Sequence, residues 1–186
     1  MKPIFSPLLR KWRAGIAKPY LKGDILDLGC GNDGYLLTLI STDQKYIGVD
    51  ENPQIISRLK NLYPDKSFLL SNLDNQDLNI KEKFDTIVML ATIEHLGNPD
   101  KLFGTIKNFL KKDGKIILTT PTPFGNLIHK IGSRVNFFDI EAAKDHKIIY
   151  NRALFEELFA QHGFSMVLYR TFQLGCNQFC VAVPNK

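Results

Sequence analysis

The sequence predicts an α/β fold: a doubly wound, mostly parallel seven-stranded sheet with helices on both faces and an antiparallel C-terminal hairpin. Two observations carry this. Short apolar runs alternate with helical patterns along most of the 186 residues, the signature of β-α-β units feeding a parallel sheet. The last two apolar runs, 164–169 and 178–183, are separated only by a polar loop with Gly175, so they must pair antiparallel. With 44% apolar residues the chain can bury a full core, and its length fits one domain, residues 1–186, without repeats or low-complexity tracts.

The elements follow in order. Residues 1–22 hold Lys2, Arg10, Lys11, Arg13, Lys18 and Lys22 and no acid, whereas the other 164 residues hold 18 basic and 19 acidic side chains. The body is therefore not basic, which argues against a nucleic-acid groove over the whole molecule while allowing a local anionic contact. Ser6-Pro7 reads as an N-cap with proline at the first helical position. Leu8, Leu9, Trp12 and Ile16 recur on one face, and Pro19 limits the far end. This short basic amphipathic helix has two possible uses: burying its stripe on the body, or docking on a membrane surface.

Residues 24–34 read Asp-Ile-Leu-Asp-Leu-Gly-Cys-Gly-Asn-Asp-Gly, an apolar run with Asp27 two places before a Gly-x-Gly-x-x-Gly turn. Such a turn, between a strand and a helix, lets backbone N–H groups approach a nucleotide-like ligand. Dinucleotide sites keep the preceding strand apolar because a carboxylate would repel the pyrophosphate. Asp27 instead selects a ligand with a nearby cation, and S-adenosylmethionine, with its sulfonium and α-ammonium, satisfies that. Residues 46–50 form the second strand, ending in Asp50, which can accept both ribose hydroxyls. Asn52-Pro53 starts a helix to about Leu62, Asn98-Pro99 another to about Lys111, and Asn151 caps a third that stops at Gly163. Strands at 68–71, 84–90 and 113–121 lie between them.

From about Asp24 to Val183 the chain resembles the class I S-adenosylmethionine-dependent methyltransferases. The resemblance rests on the glycine loop, Tyr46–Asp50, Phe68-Leu-Leu-Ser-Asn-Leu73, the run from Phe84 to Glu94-His95, and Asp113–Pro121, all in register. It implies S-adenosylmethionine as cofactor, held by Asp27, Gly29, Cys30, Gly31, Gly34, Asp50, Glu51, Asn72, Leu73 and Leu90, with Asn72 near the adenine amino group. It also implies that the N-terminal helix packs as a lid over the cofactor, and that the last strand inserts antiparallel into the sheet.

Residues 121–150 are the expected substrate lid, since they leave the C-terminal edge of the fifth strand and are far longer than the usual connection of ~2 to 6 residues. Phe124, Leu127, Ile128 and Ile131 have helical spacing there. Phe137, Phe138, Tyr150, His129 and His146 would supply apolar walls and titratable groups, each aromatic being as compatible with ordinary sheet packing. Methyl transfer needs in-line placement of the acceptor and removal of its proton, a task for histidine. His95, after the fourth strand, and His146, at the end of the lid, are the catalytic candidates. Each could instead be structural.

Ubiquinone-biosynthesis and small-RNA 2′-O-methyltransferases carry Glu-x-x-Glu-His at the fourth strand and hold a divalent metal with it. Here Ala91 replaces the first carboxylate, so no catalytic metal is expected. The expected acceptor is a small molecule, methylated at oxygen, without nucleic acid. Alternatives are an RNA methyltransferase using the basic N-terminus, a non-catalytic cofactor-binding partner subunit, and an NAD-dependent oxidoreductase, the last disfavoured by Asp27 and the terminal hairpin. Cys30, Cys176 and Cys180 match no common zinc pattern and read as free thiols. With neither a membrane-length apolar run nor a signal peptide, a cytoplasmic protein is expected.

Overall fold

The computed structural model describes residues 6–32, 34–75, 78–133 and 146–185, with backbone alone at residues 6, 7 and 129–133. Seven strands form one sheet: β1 Ile25–Leu28, β2 Tyr46–Asp50, β3 Ser67–Leu70, β4 Phe84–Leu90, β5 Leu110–Pro121, β6 Phe164–Phe172 and β7 Asn177–Pro184. Their order is β3-β2-β1-β4-β5-β7-β6. The first five run parallel, and β7 lies antiparallel between β5 and β6. The expected sheet, hairpin included, is the observed one.

Side chains alternate across this sheet because successive strand residues face opposite ways, and both faces are apolar. Leu26, Ile87, Met89 and Ile116 point to one core, which α3 (Pro99–Ile106) and α5 (Arg152–Gln161) cover with Phe103, Phe155 and Phe159. Ile25, Val88, Ile117 and Phe179 point to the other, covered by α2 (Pro53–Leu62) with Ile56 and Leu59 and by Ala17 of α1 (Ser6–Ala17). Asp27, two residues after Ile25, therefore faces the α1 side. Asn52, Asn98 and Asn151 each accept a backbone N–H in the first turn of their helix, as their positions predict.

Four local expectations change. The glycine loop leads into a five-residue 3₁₀ turn, Tyr35–Leu39, in place of an α-helix, because Ser41 and Gln44 already turn the chain back toward β2. The helix after Asn98-Pro99 is α-helical only to Ile106. A 3₁₀ turn follows, and β5 starts at Leu110, pairing with Phe84 before a register shift. In α1 the buried face is Ala14 and Ala17, while Leu8 and Trp12 of the expected stripe are 58% and 51% exposed. Small residues win this contact because they let the helix lie closer to the sheet.

Residues 121–150, the expected lid, contain α4 (Pro123–Ser133), and Phe124 and Leu127 face solvent. Gly125 instead faces the hairpin, where the Cys176 carbonyl leaves no room for a Cβ, and Thr122 N–H donates to that carbonyl at 3.0 Å. Tyr150 is no pocket wall. It is buried and stacks on Phe155 at 4.8 Å. Phe137 and Phe138, and the side chains of His129 and Ile131, lie outside the described residues.

Candidate functional site

Between β1 and β4 the strand order reverses, and the C-terminal strand ends open a cleft there, as this topology requires. The cleft has two lobes that share Gly29, Gly31 and Ala91. One, about 310 Å³, is lined by Asp50, Glu51, Asn72, Leu73, Asp74, Thr92, His95, Leu96 and Lys147. The other, about 210 Å³, is lined by Arg10, Arg13, Asp27, Cys30, Tyr35 and Leu90, so α1 forms its roof.

Both glycines at the junction are in the left-handed region. At Gly29, with φ +81°, a Cβ would run into Thr92, so glycine lets β1 and the β4 exit touch. Gly31, with φ +67°, faces open space, a cradle a ligand can fill. Its N–H donates to Asp50 Oδ2 at 3.1 Å, and Asn52 N–H donates to Oδ1 at 3.0 Å. Each carboxylate oxygen keeps a second lone pair, so Asp50 still has acceptors for a pair of hydroxyls. Asn72 Nδ2 donates to Glu51 Oε2 at 2.5 Å, fixing both on the rim. Ala91, with φ +58°, holds a conformation unusual for a residue with a Cβ, worth of order 1 to 2 kcal/mol of strain, at the wall between the lobes.

In the second lobe Asp27 is buried and accepts from Tyr46 OH at 2.8 Å. Burial, and then Asp27, push the Tyr46 hydroxyl well above its ordinary range, so it stays a donor. Burial and the neighbouring Asp27 and Asp50 likewise raise the Cys30 thiol, which is inert as a nucleophile. Gly34 lines neither lobe. It turns the chain at φ +58° with its open side against Tyr63, so its place is in the loop's shape.

At the other end Lys147 and Ile148 are anchored on the Glu94 carbonyl, which accepts from their N–H groups at 2.8 and 3.3 Å. The neighbouring His146 ring lies against His95, centroids 5.0 Å apart, with His146 Nδ1 2.9 Å from Asn126 Oδ1. Glu94 is buried, which raises its carboxyl against the opposing pull of His95 and Arg13. Ligating atoms of Glu94, His95 and His146 lie within 4.8 Å of one another, a set that also suits a divalent cation. The expectation of no metal rested on Ala91, and spacing along the chain could not show that His146 joins this pair.

Sequence reasoning also missed Asp74. Its carboxylate accepts from the N–H groups of Gly97 and Asn98 at 2.9 and 3.0 Å and from Lys147 Nζ at 3.0 Å, tying the β3 and β4 exits to Lys147. The tripeptide Gly97-Asn98-Pro99, with two donors before a helix start, was the available signal. Among the described residues no helix is long and apolar enough to cross a membrane.

Residues 6–169 match a family model described as "Methyltransferase domain". A tRNA U34 carboxymethyltransferase of Campylobacter concisus is 33% identical over 103 residues, 52% of this chain and 35% of its own length. The chain spans about a third of the length of the curated relatives it matches. A solved S-adenosylmethionine-dependent methyltransferase of Clostridium acetobutylicum superposes with a TM-score of 0.71 at 15% identity, covering 98% of this chain and 97% of that one. The plantazolicin methyltransferase BamL, solved with SAH, gives 0.69 at 18% identity, covering 100% and 86%.

Proposed function

This chain belongs to the methyltransferase-domain family, and from that premise we propose that it is an S-adenosylmethionine-dependent class I enzyme that methylates an oxygen of a small molecule, with His95 and His146 serving proton removal. The observation that carries this is the pairing of the two imidazoles over buried Glu94 at the end of the larger lobe. A hydroxyl is a poor nucleophile until its proton leaves, and a histidine near neutrality takes it.

The residues present fit the cofactor. Asp50, Glu51, Asn72 and Leu73 line the lobe suited to a nucleoside, the Gly31 cradle is open, and Asp27 offers a carboxylate to an ammonium. When bound, S-adenosylmethionine supplies a methyl group on a sulfonium, which is electrophilic without further activation. The protein's part is placement and the proton. His146 Nδ1 lies 2.9 Å from the Asn126 amide oxygen, and in the tautomer that donates to it Nε2 is the nitrogen that can take a proton. A negative charge on Glu94 stabilises whichever imidazole becomes an imidazolium. Asp74 holds Lys147, the neighbour of His146.

A small acceptor is favoured by the charge of the body, since outside residues 1–22 the chain holds 18 basic and 19 acidic side chains and so offers no broad cationic face to a phosphodiester chain. A second reading, RNA, draws on the tRNA-acting relative and on the basic α1. Methyl-labelled S-adenosylmethionine incubated with the protein and either a small-metabolite extract or total tRNA separates the two. Label in the small-molecule fraction alone is expected, and label in tRNA rejects the proposal. Repeating the assay after EDTA distinguishes a histidine base from a metal held by Glu94, His95 and His146.

A further inference from the structure

We infer that the sheet edge carrying the cleft docks on an anionic membrane surface, with Leu8, Trp12, Phe124, Leu127 and Leu174 entering the lipid and the basic side chains of α1 meeting the headgroups. Docking of this kind is independent of which cofactor or acceptor the cleft takes.

The topology brings the five side chains to one edge. Both β5 and β6 pair antiparallel with β7, so the β6–β7 turn lies at the C-terminal strand ends, beside the cleft. α4 leaves that same end of β5. The turn is flanked by both helices: Gln173 Nε2 donates to the Leu9 carbonyl of α1 at 3.3 Å, and Thr122, just before α4, donates its N–H to the Cys176 carbonyl at 3.0 Å.

All five side chains face water. Leu8, Trp12, Phe124 and Leu127 are each more than half exposed, and Leu174 is 96% exposed. None of them lines either lobe of the cleft, so none is a wall for cofactor or acceptor. On α1 the small Ala14 and Ala17 are buried, and on α4 Gly125 meets the hairpin, so both helices turn large apolar side chains outward. A helix that only covers a core does the reverse.

The turn gives a second sign. Gln173 and Leu174 both have left-handed backbone, φ +53° and +55°, at hairpin positions that Gly, Asn and Asp ordinarily take. Gln173 is used within the protein, through Leu9 and through Asn177, whose Nδ2 donates to its Oε1 at 2.6 Å. Leu174 has no such use. A branched apolar side chain held in water on a strained turn points to a surface outside the protein.

Charge selects lipid as that surface. Residues 6–17, 122–133 and 170–178, which contain α1, α4 and the turn, hold no Asp or Glu, and Arg10, Lys11 and Lys18 are exposed. Asp50, Glu51 and Asp74 belong to the larger lobe, across Gly29 and Gly31 from α1. Cations beside a tryptophan and protruding Leu and Phe side chains make up an interfacial anchor, which an acyl layer deforms to receive.

Trp12 is the single tryptophan of the chain, so the unaltered protein carries its own reporter. Its emission is followed with vesicles of phosphatidylcholine alone and of phosphatidylcholine with an equal amount of phosphatidylserine. With the anionic vesicles it should move to shorter wavelength and be shielded from acrylamide, and affinity for the neutral vesicles should be at least ~10-fold weaker. Leu174→Asn, which suits the left-handed turn, should lower affinity for the anionic vesicles roughly 10-fold without lowering the melting midpoint. An emission unmoved by either vesicle overturns the inference, as does equal affinity for both. Binding to anionic vesicles that Leu174→Asn leaves unchanged also overturns it, because the basic residues alone then account for it. If Leu174→Asn lowers the melting midpoint, Phe124→Ser must give the loss of affinity instead, and unchanged binding rejects the docking face. A concentration-dependent dimer without vesicle binding assigns the face to a second copy and overturns the membrane reading.

Discussion

At the scale of single residues, the two histidines differ in what surrounds them. His146 has Nδ1 2.9 Å from Asn126 Oδ1 and sits beside the backbone contact of Lys147 with Glu94, whereas His95 lines the larger lobe directly. Replacing a general base by alanine typically costs ~10² to 10⁴-fold in turnover, with binding of the other substrate little changed. The expected outcome is that His146→Ala loses turnover in that range while calorimetric affinity for S-adenosylhomocysteine is retained. If His95→Ala alone loses turnover, the base is His95. If neither does, the acceptor brings its own lone pair and placement does the work.

At the scale of elements, the site depends on loops that exit adjacent strands and are held by Asp74. Partial burial pushes this carboxyl up, but the backbone donors at Gly97 and Asn98 and the Lys147 ammonium outweigh it and hold it below its ordinary 3.8. A carboxylate depressed in the folded state adds stability that is present above its unfolded value and lost as pH falls through the folded one. Asp74→Asn should therefore flatten the acid side of the stability curve between about pH 5 and pH 2. It should also lower the melting midpoint at neutral pH, where the unaltered carboxylate is charged. Thermal unfolding followed by circular dichroism across that range checks both. An unchanged acid slope would mean that Asp74 does not tie the loops together.

At the scale of the whole molecule, ligand binding should be read as stability. A ligand at 100 times its dissociation constant stabilises by ~2.7 kcal/mol, which in a domain of this size raises the melting midpoint by roughly 5 to 11 °C. S-adenosylhomocysteine should produce that shift and NADH none. The reverse result would contradict the family assignment.

The sheet, the antiparallel hairpin, the three asparagine caps and the residues around Gly29, Gly31, Asp50 and Asn72 were legible in the sequence, because each depends on a local period, a cap or a turn. The exposed Leu8 and Trp12 were not, since helical spacing marks which residues share a face but not which face meets the sheet. His146 against His95, and Asp74 against Gly97 and Lys147, join residues 23 to 73 positions apart. No local propensity encodes such pairs. They arise only once parallel strands bring several loop ends to one edge of the sheet, which is why only the tertiary structure put these side chains together.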